Sequence, residues 1–172
     1  MLGDKHIPEE YLLASSEQRM ALLQGLMDSD GHGTTDHTGS CCEITLTSER
    51  LVHDVLLLIR SLGFKASINE SRATLNGRDI GPRWRIVFAA YQDRAPFRYA
   101  RKYAGLKAHA GAQISGDHYT NKTRLAQQVT RAGTAQIVAI EPVETRPVRC
   151  IVVDHPTHTY LAGTELVMTH NS

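Results

Sequence analysis

The stretch Leu23-Gln24-Gly25-Leu26-Met27-Asp28-Ser29-Asp30-Gly31 decides how this chain is read. It closes a longer run, residues 16–29, in which Met20, Leu23, Leu26 and Met27 recur at helical spacing. Ser15 or Ser16 offers a cap at the start, and Gly31 offers a stop. The spacing therefore predicts a helix whose last turn carries carboxylates. Outward from it, residues 31–40 read as a Gly- and Thr-rich hairpin and residues 41–47 as a strand. A second helix is expected over 48–63, started by Ser48 and stopped by Gly63. Strands follow at 64–72 and 83–90, joined by a turn over 76–82, and a third helix at 95–105. The order is helix, two strands, helix, two strands, helix.

Alternation assigns the strand faces. Lys65, Ser67, Asn69 and Ser71 share one side, and Phe64, Ala66 and Ile68 the other. Arg83 and Arg85 oppose Trp84, Ile86 and Phe88. Glu43, Thr45 and Thr47 oppose Cys42, Ile44 and Leu46. A polar sheet face of this kind meets either solvent or a polar partner. Residues 106–134 are rich in Ala, Gly, Gln and Thr and read as a linker, with one short helix around 123–131. From 135 the pattern is all strand, at 135–144, 147–154, 158–163 and 165–171.

Bulk properties narrow the classes. The chain has 172 residues, room for one large domain or two small ones. A hydrophobic share of 41% suffices for a core. The net charge of +1 means that any nucleic-acid contact rests on local clusters of charge. No apolar run reaches membrane length, and the N-terminus shows no signal-peptide core, so no membrane partner is expected. The three cysteines give neither a disulfide framework nor a metal pattern, and a reducing cytoplasm is the expected location. His32 and His37, like His155 and His158, lack cysteines at zinc-ligand spacing.

Residues 23–31 resemble the LAGLIDADG motif of homing endonucleases, identical at six of nine positions. Lys5-His6-Ile7-Pro8, starting 25 residues before Asp30, resembles the lysine block that precedes the second such motif in endonuclease-bearing inteins. The element order is similar to the αββαββα half of that family. The resemblance implies that Gly25 lets two motif helices approach closely. It implies that Asp30 delivers a carboxylate to the scissile phosphate and holds Mg2+. It also implies that Lys5 and either Arg101 or Lys102 assist, and that the polar sheet face, with Lys65, Ser67, Asn69, Arg83 and Arg85, lies on double-stranded DNA.

The end of the chain, Val148 to Ser172, resembles the C-terminal splicing blocks of inteins. By that resemblance Asn171 cyclises to a succinimide and cuts the bond to Ser172, with proton help from His170 and His158. Ser172 receives the upstream flank as first extein residue. Cys150 stands where most inteins have aspartate, and with Thr169 it is similar to a class-three minority in which this cysteine attacks the upstream junction. Read from the residue alone, Cys150 is either that nucleophile or a buried strand cysteine.

The implied fold class is α+β: a LAGLIDADG half-domain at 1–105, a linker at 106–134, and the C-terminal β-strands of a Hint splicing domain at 135–172. Neither an upstream splicing block nor a first LAGLIDADG motif is present. The chain is therefore expected to act with an N-terminal intein fragment, as a split or truncated intein. Its motifs look most like inteins of replicative helicases and terminases. The competing readings are a freestanding homodimeric endonuclease and a splicing-only fragment with a decayed nuclease.

Overall fold

The computed structural model describes residues 5–35, 40–108, 139–149, 151–154 and 156–170. The chain divides into two compact units, Met1–Gly133 and Thr134–Ser172.

The first unit is an α+β arrangement of helices and antiparallel strands. A short helix α1 (Glu9–Leu12) follows Pro8 and leads into α2 (Ser16–Ser29). Ser15 caps α2 by a reciprocal box: its hydroxyl accepts from Gln18 N, and the Gln18 side chain accepts from Ser15 N. α2 runs straight into β1 (Gly31–Thr35), which pairs with β2 (Ser40–Leu46). α3 (Glu49–Ser61) is capped by Ser48, whose hydroxyl accepts from Leu51 N. It ends in a left-handed Gly63, φ 77°. The Gly63 and Phe64 amides return to the Arg60 and Ile59 carbonyls, a Schellman closure. β3 (Ala66–Leu75) and β4 (Arg78–Ala89) complete a four-stranded sheet of order β1-β2-β4-β3.

The core lies between one sheet face and the helices. Leu23 and Met27 of α2 meet Val52, Val55, Leu58 and Ile59 of α3 over Cys42, Ile44, Ile86 and Phe88, all buried. The expected alternation holds: Phe64 and Ala66 are buried with Ile86 and Phe88, while Lys65, Ser67, Asn69, Arg83 and Arg85 are exposed.

Two expected boundaries in this unit are corrected. The turn is not 76–82 but the pair Asn76-Gly77, at φ 50° and 77°, and residues 78–82 continue β4. Asn-Gly tolerates the positive φ that a tight hairpin needs, so the strands extend to meet it. Pro82 is accommodated because β2 ends opposite Trp84, leaving that stretch of β4 paired to β3 alone. The expected helix at 95–105 shrinks to a single turn α4 (Ala100–Tyr103), and a 3-10 turn η1 (Gln92–Arg94) precedes that stretch. Pro96 disfavours helix at Ala95, and the Arg98 and Tyr99 amides that follow donate to the Asp28 carboxylate of α2.

The second unit holds one hairpin among the described residues, β5 (Thr159–Ala162) against β6 (Val167–His170). The expected strands at 135–144 and 147–154 form no ladder over their described residues, and no Hint β-topology is formed there. Pro142 and Pro147 remove amide donors. Ile140, Val143, Val148 and Val152 are 86–89% exposed, so among the described residues these apolar side chains pack on no sheet. The expected short helix around 123–131 lies outside the described residues.

Candidate nuclease site and the hairpin histidines

The C-terminal half of α2 is tied to residues 95–102 by side-chain hydrogen bonds. Asp30 is its C-cap, with its amide donating to the Leu26 and Met27 carbonyls. The Asp30 carboxylate is exposed, and among the described residues it accepts from the Ser29 hydroxyl at 3.2 Å. Asp28 behaves differently. Its carboxylate accepts from the backbone amides of Arg98 at 3.1 Å and Tyr99 at 3.2 Å, fixing the chain that enters α4. Gln24, one turn earlier, donates to Ala95 O at 3.0 Å and accepts from Arg98 Nε at 2.9 Å.

Lys102, one of the two cations expected beside Asp30, reaches this same turn but not the Asp30 carboxylate. Its Nζ donates to the carbonyls of Met27, Asp28 and Gly31 at 2.8, 2.8 and 2.7 Å. It also sits 5.7 Å from the Phe97 ring centre. Arg101, the alternative, is exposed. Lys5 is exposed and is held by its carbonyl, which accepts from the Ser48 hydroxyl at 3.0 Å. Ile7 N donates to Asp54 at 2.9 Å, so the Lys5–Pro8 block is strapped to the start of α3. Lys5 and Asp30 are not paired. Asp28, Gln24 and Phe97 were not singled out by sequence; the i and i+4 spacing of Gln24 and Asp28 on α2 is visible there, their distant partners are not.

Gly31 is pressed against α2. A Cβ there would lie 2.7 Å from the Met27 Cα and carbonyl oxygen. Gly25 is the reverse: it is exposed, and an added Cβ would meet nothing within 4 Å. Ala21, Gly25 and Ser29 follow at i, i+4 and i+8 on that open side of α2.

The exposed sheet face gathers the five residues expected to meet DNA. Asn69 faces Arg85, Ser71 faces Arg83, and Ser67 lies opposite Val87. Arg85 approaches Glu43 at 3.8 Å, and Arg83 Nε donates to the Ser71 hydroxyl at 3.0 Å. Farther out, Arg72 and Asp79 pair at 2.7 Å, which lowers the Asp79 pKa through that hydrogen bond. On the opposite face, burial pushes the Cys42 thiol up to about 12.

In the second unit the hairpin register sets Thr159 opposite His170 and Tyr160 opposite Thr169. The His158 and His170 rings stand edge to face, 6.4 Å apart, and His158 has φ 47°. The Thr169 hydroxyl donates to Val167 O at 3.2 Å. Cys150, Asn171 and Ser172 lie outside the described residues.

No group of three or more His, Cys, Asp or Glu side chains that could hold a metal occurs among the described residues. Likewise, no described helix is long and apolar enough to cross a membrane.

Comparison with known proteins agrees with the first unit. The chain is 36% identical over 172 residues to a replicative DNA helicase, DnaB, of Mycobacterium intracellulare, a match covering all of the chain and 26% of that protein. It thus spans about a quarter of the relative's length. The homing endonuclease family model matches residues 6–89, from the strap on α3 to the end of β4. Residues 6–89 are therefore a homing-endonuclease domain, whose helices and antiparallel strands are consistent with a LAGLIDADG-type module.

Proposed function

We propose that the first unit is one half of a site-specific DNA endonuclease that pairs through the open side of α2. The carrying observation is the contrast at the end of that helix: Asp28 is consumed by backbone amides, while Asp30 projects to solvent from a turn held on both sides. The bare backbone at Gly25 admits a second α2, from a second copy or from another half-domain, at close range.

A single exposed carboxylate is a hard oxygen donor that suits Mg2+ but does not complete a shell. Asp30 would hold the ion together with phosphate oxygens and a carboxylate of the paired half. The ion's chemistry when bound is activation of water and neutralisation of the leaving oxygen. The chain's own part is to orient Asp30, to bring cationic Arg83 and Arg85 onto the phosphates, and to offer Asn69 and Ser67 to base edges. Lys5, exposed beside α3, stays in this reading as a cation near the substrate. Asp30→Asn should abolish divalent-ion-dependent cutting while leaving DNA affinity within about twofold. Undiminished cutting would remove Asp30 from the site.

A second reading concerns the C-terminal unit, and one observation favours it: similarity to the helicase continues to residue 172, far past the nuclease domain. In this reading residues 135–172 are the C-terminal splicing region of an intein lodged in such a helicase, with Ser172 as the first extein residue. Cys150 forms a branched thioester, Ser172 receives the upstream flank, and Asn171 cyclises with help from His158, Thr169 and His170. The exposed strand-forming residues Ile140, Val143, Val148 and Val152 then await strands from an N-terminal fragment. Cys150→Asp separates the mechanisms. A carboxylate cannot carry the acyl branch, so splicing by the reassembled protein should stop; robust splicing would return Cys150 to a structural role.

A further inference from the structure

Resting on the endonuclease reading, this inference concerns how the acidic turn is held. An ammonium has three N–H donors and no acceptor. All three distances from Lys102 Nζ, to Met27 O, Asp28 O and Gly31 O, are 2.7–2.8 Å. The Met27 and Asp28 carbonyls lie in the last turn of α2, where the helix dipole favours a cation, and the Gly31 carbonyl belongs to the first residue of β1. In return, Asp28 sends its carboxylate to the amides of Arg98 and Tyr99, just ahead of Lys102. The two segments are about 70 residues apart in sequence and tie each other in both directions.

We propose that Lys102 and Asp28 are positioning residues, a reciprocal clamp that fixes the turn from which Asp30 projects. Lys102 acts on the carbonyls of this turn and not on the scissile phosphate. With three carbonyls bound, the ammonium has no donor left for a phosphate oxygen. Its stem lies half-buried, and Phe97 stands beside the ammonium. The clamp also accounts for the shortened helix at 95–105: the chain there is set by Asp28 rather than by its own helical pattern.

The test uses the full chain and two readouts. In 15N-labelled protein the Lys102 ammonium should give a resolved, slowly exchanging NH3 signal near neutral pH, identified by its loss in Lys102→Met. Amide hydrogen exchange in the last turn of α2 should accelerate by about 10- to 100-fold in that variant, as expected for lost charge-assisted bonds. Exchange at Val55–Ile59 of α3 should be unchanged. Lys102→Arg should not restore protection, because a planar fork does not converge on three carbonyls as an ammonium does. If Lys102→Met does not fold, Asp28→Asn provides the same comparison, with a smaller rise confined to residues 28–31 and 98–99.

Unchanged exchange in the turn would overturn the clamp. So would an ammonium signal that is fast-exchanging in free protein and sharpens only on adding duplex DNA. Wild-type protein that shows the clamp signature but never cuts DNA would count against the endonuclease reading and leave the clamp standing.

Discussion

Two glycine-to-alanine changes within the same nine residues should move stability in opposite directions. At Gly25 an added Cβ meets nothing within 4 Å, so Gly25→Ala only restrains a helix-interior backbone. That should stabilise the first unit by about 0.8–1 kcal/mol. At Gly31 the Cβ would fall 2.7 Å from the Met27 Cα, carbonyl oxygen and Cε. The methyl end can swing away, but the Cα and the carbonyl are backbone, so the start of β1 or the end of α2 must shift. Such overpacking costs about 1–3 kcal/mol. Urea unfolding of the full chain measures both. Trp84, the one tryptophan, is half-buried and belongs to the first unit, so its fluorescence reports on that unit. With a slope of about 1–3 kcal/mol per molar urea, the midpoint should rise by about 0.3–1 M for Gly25→Ala. For Gly31→Ala it should fall by a similar or larger step. A lower midpoint for Gly25→Ala would mean that α2 is packed on that side within the chain itself. No loss for Gly31→Ala would refute the close approach of strand and helix.

Arg83→Ala and Arg85→Ala should each weaken DNA binding and reduce the slope of log K against log salt by about 1, as lost phosphate contacts do; a slope unchanged in both variants would exclude the exposed sheet face as the DNA surface. Cys42 should resist iodoacetamide at pH 8 in the folded chain, with its thiol held up to about 12 by burial. Folding keeps a proton there that the unfolded chain releases above pH 9.0, so this contribution to stability is full below 9.0 and is lost as pH rises towards 12. Unfolding midpoints across that window test the sign, and a Cys42→Ala variant lacking this decline isolates the residue.

Local chemistry made most of the first unit legible. Capping serines, Gly63 and the alternation in residues 64–69 and 83–86 announce elements and faces without tertiary help. What sequence missed depends on distant partners. Apolar spacing and basic residues at 95–105 suggest a long helix, but Asp28 captures its first amides from about 70 residues away. Sequence offers Arg101 or Lys102 as the cation beside Asp30, but the Lys102 ammonium sits on the carbonyls of Met27, Asp28 and Gly31, a placement that depends on the fold. Residues 135–144 and 147–154 read as strands from their local pattern, but a local pattern carries no information about where a pairing strand comes from. The splicing residues Cys150, Asn171 and Ser172 remain a reading of sequence, and the histidines near them are placed only as far as one hairpin.

The central claim is that Asp30, presented by a clamped turn, cuts DNA. It is tested most directly by incubating a randomised duplex library with Mg2+ and the full protein that carries this chain, wild type against Asp30→Asn, and sequencing the broken ends. The account predicts that wild type yields breaks concentrated at one extended site, and that Asp30→Asn binds the same site but leaves it intact. Equal cutting by both proteins, or no specific breaks by folded wild-type protein, would contradict it.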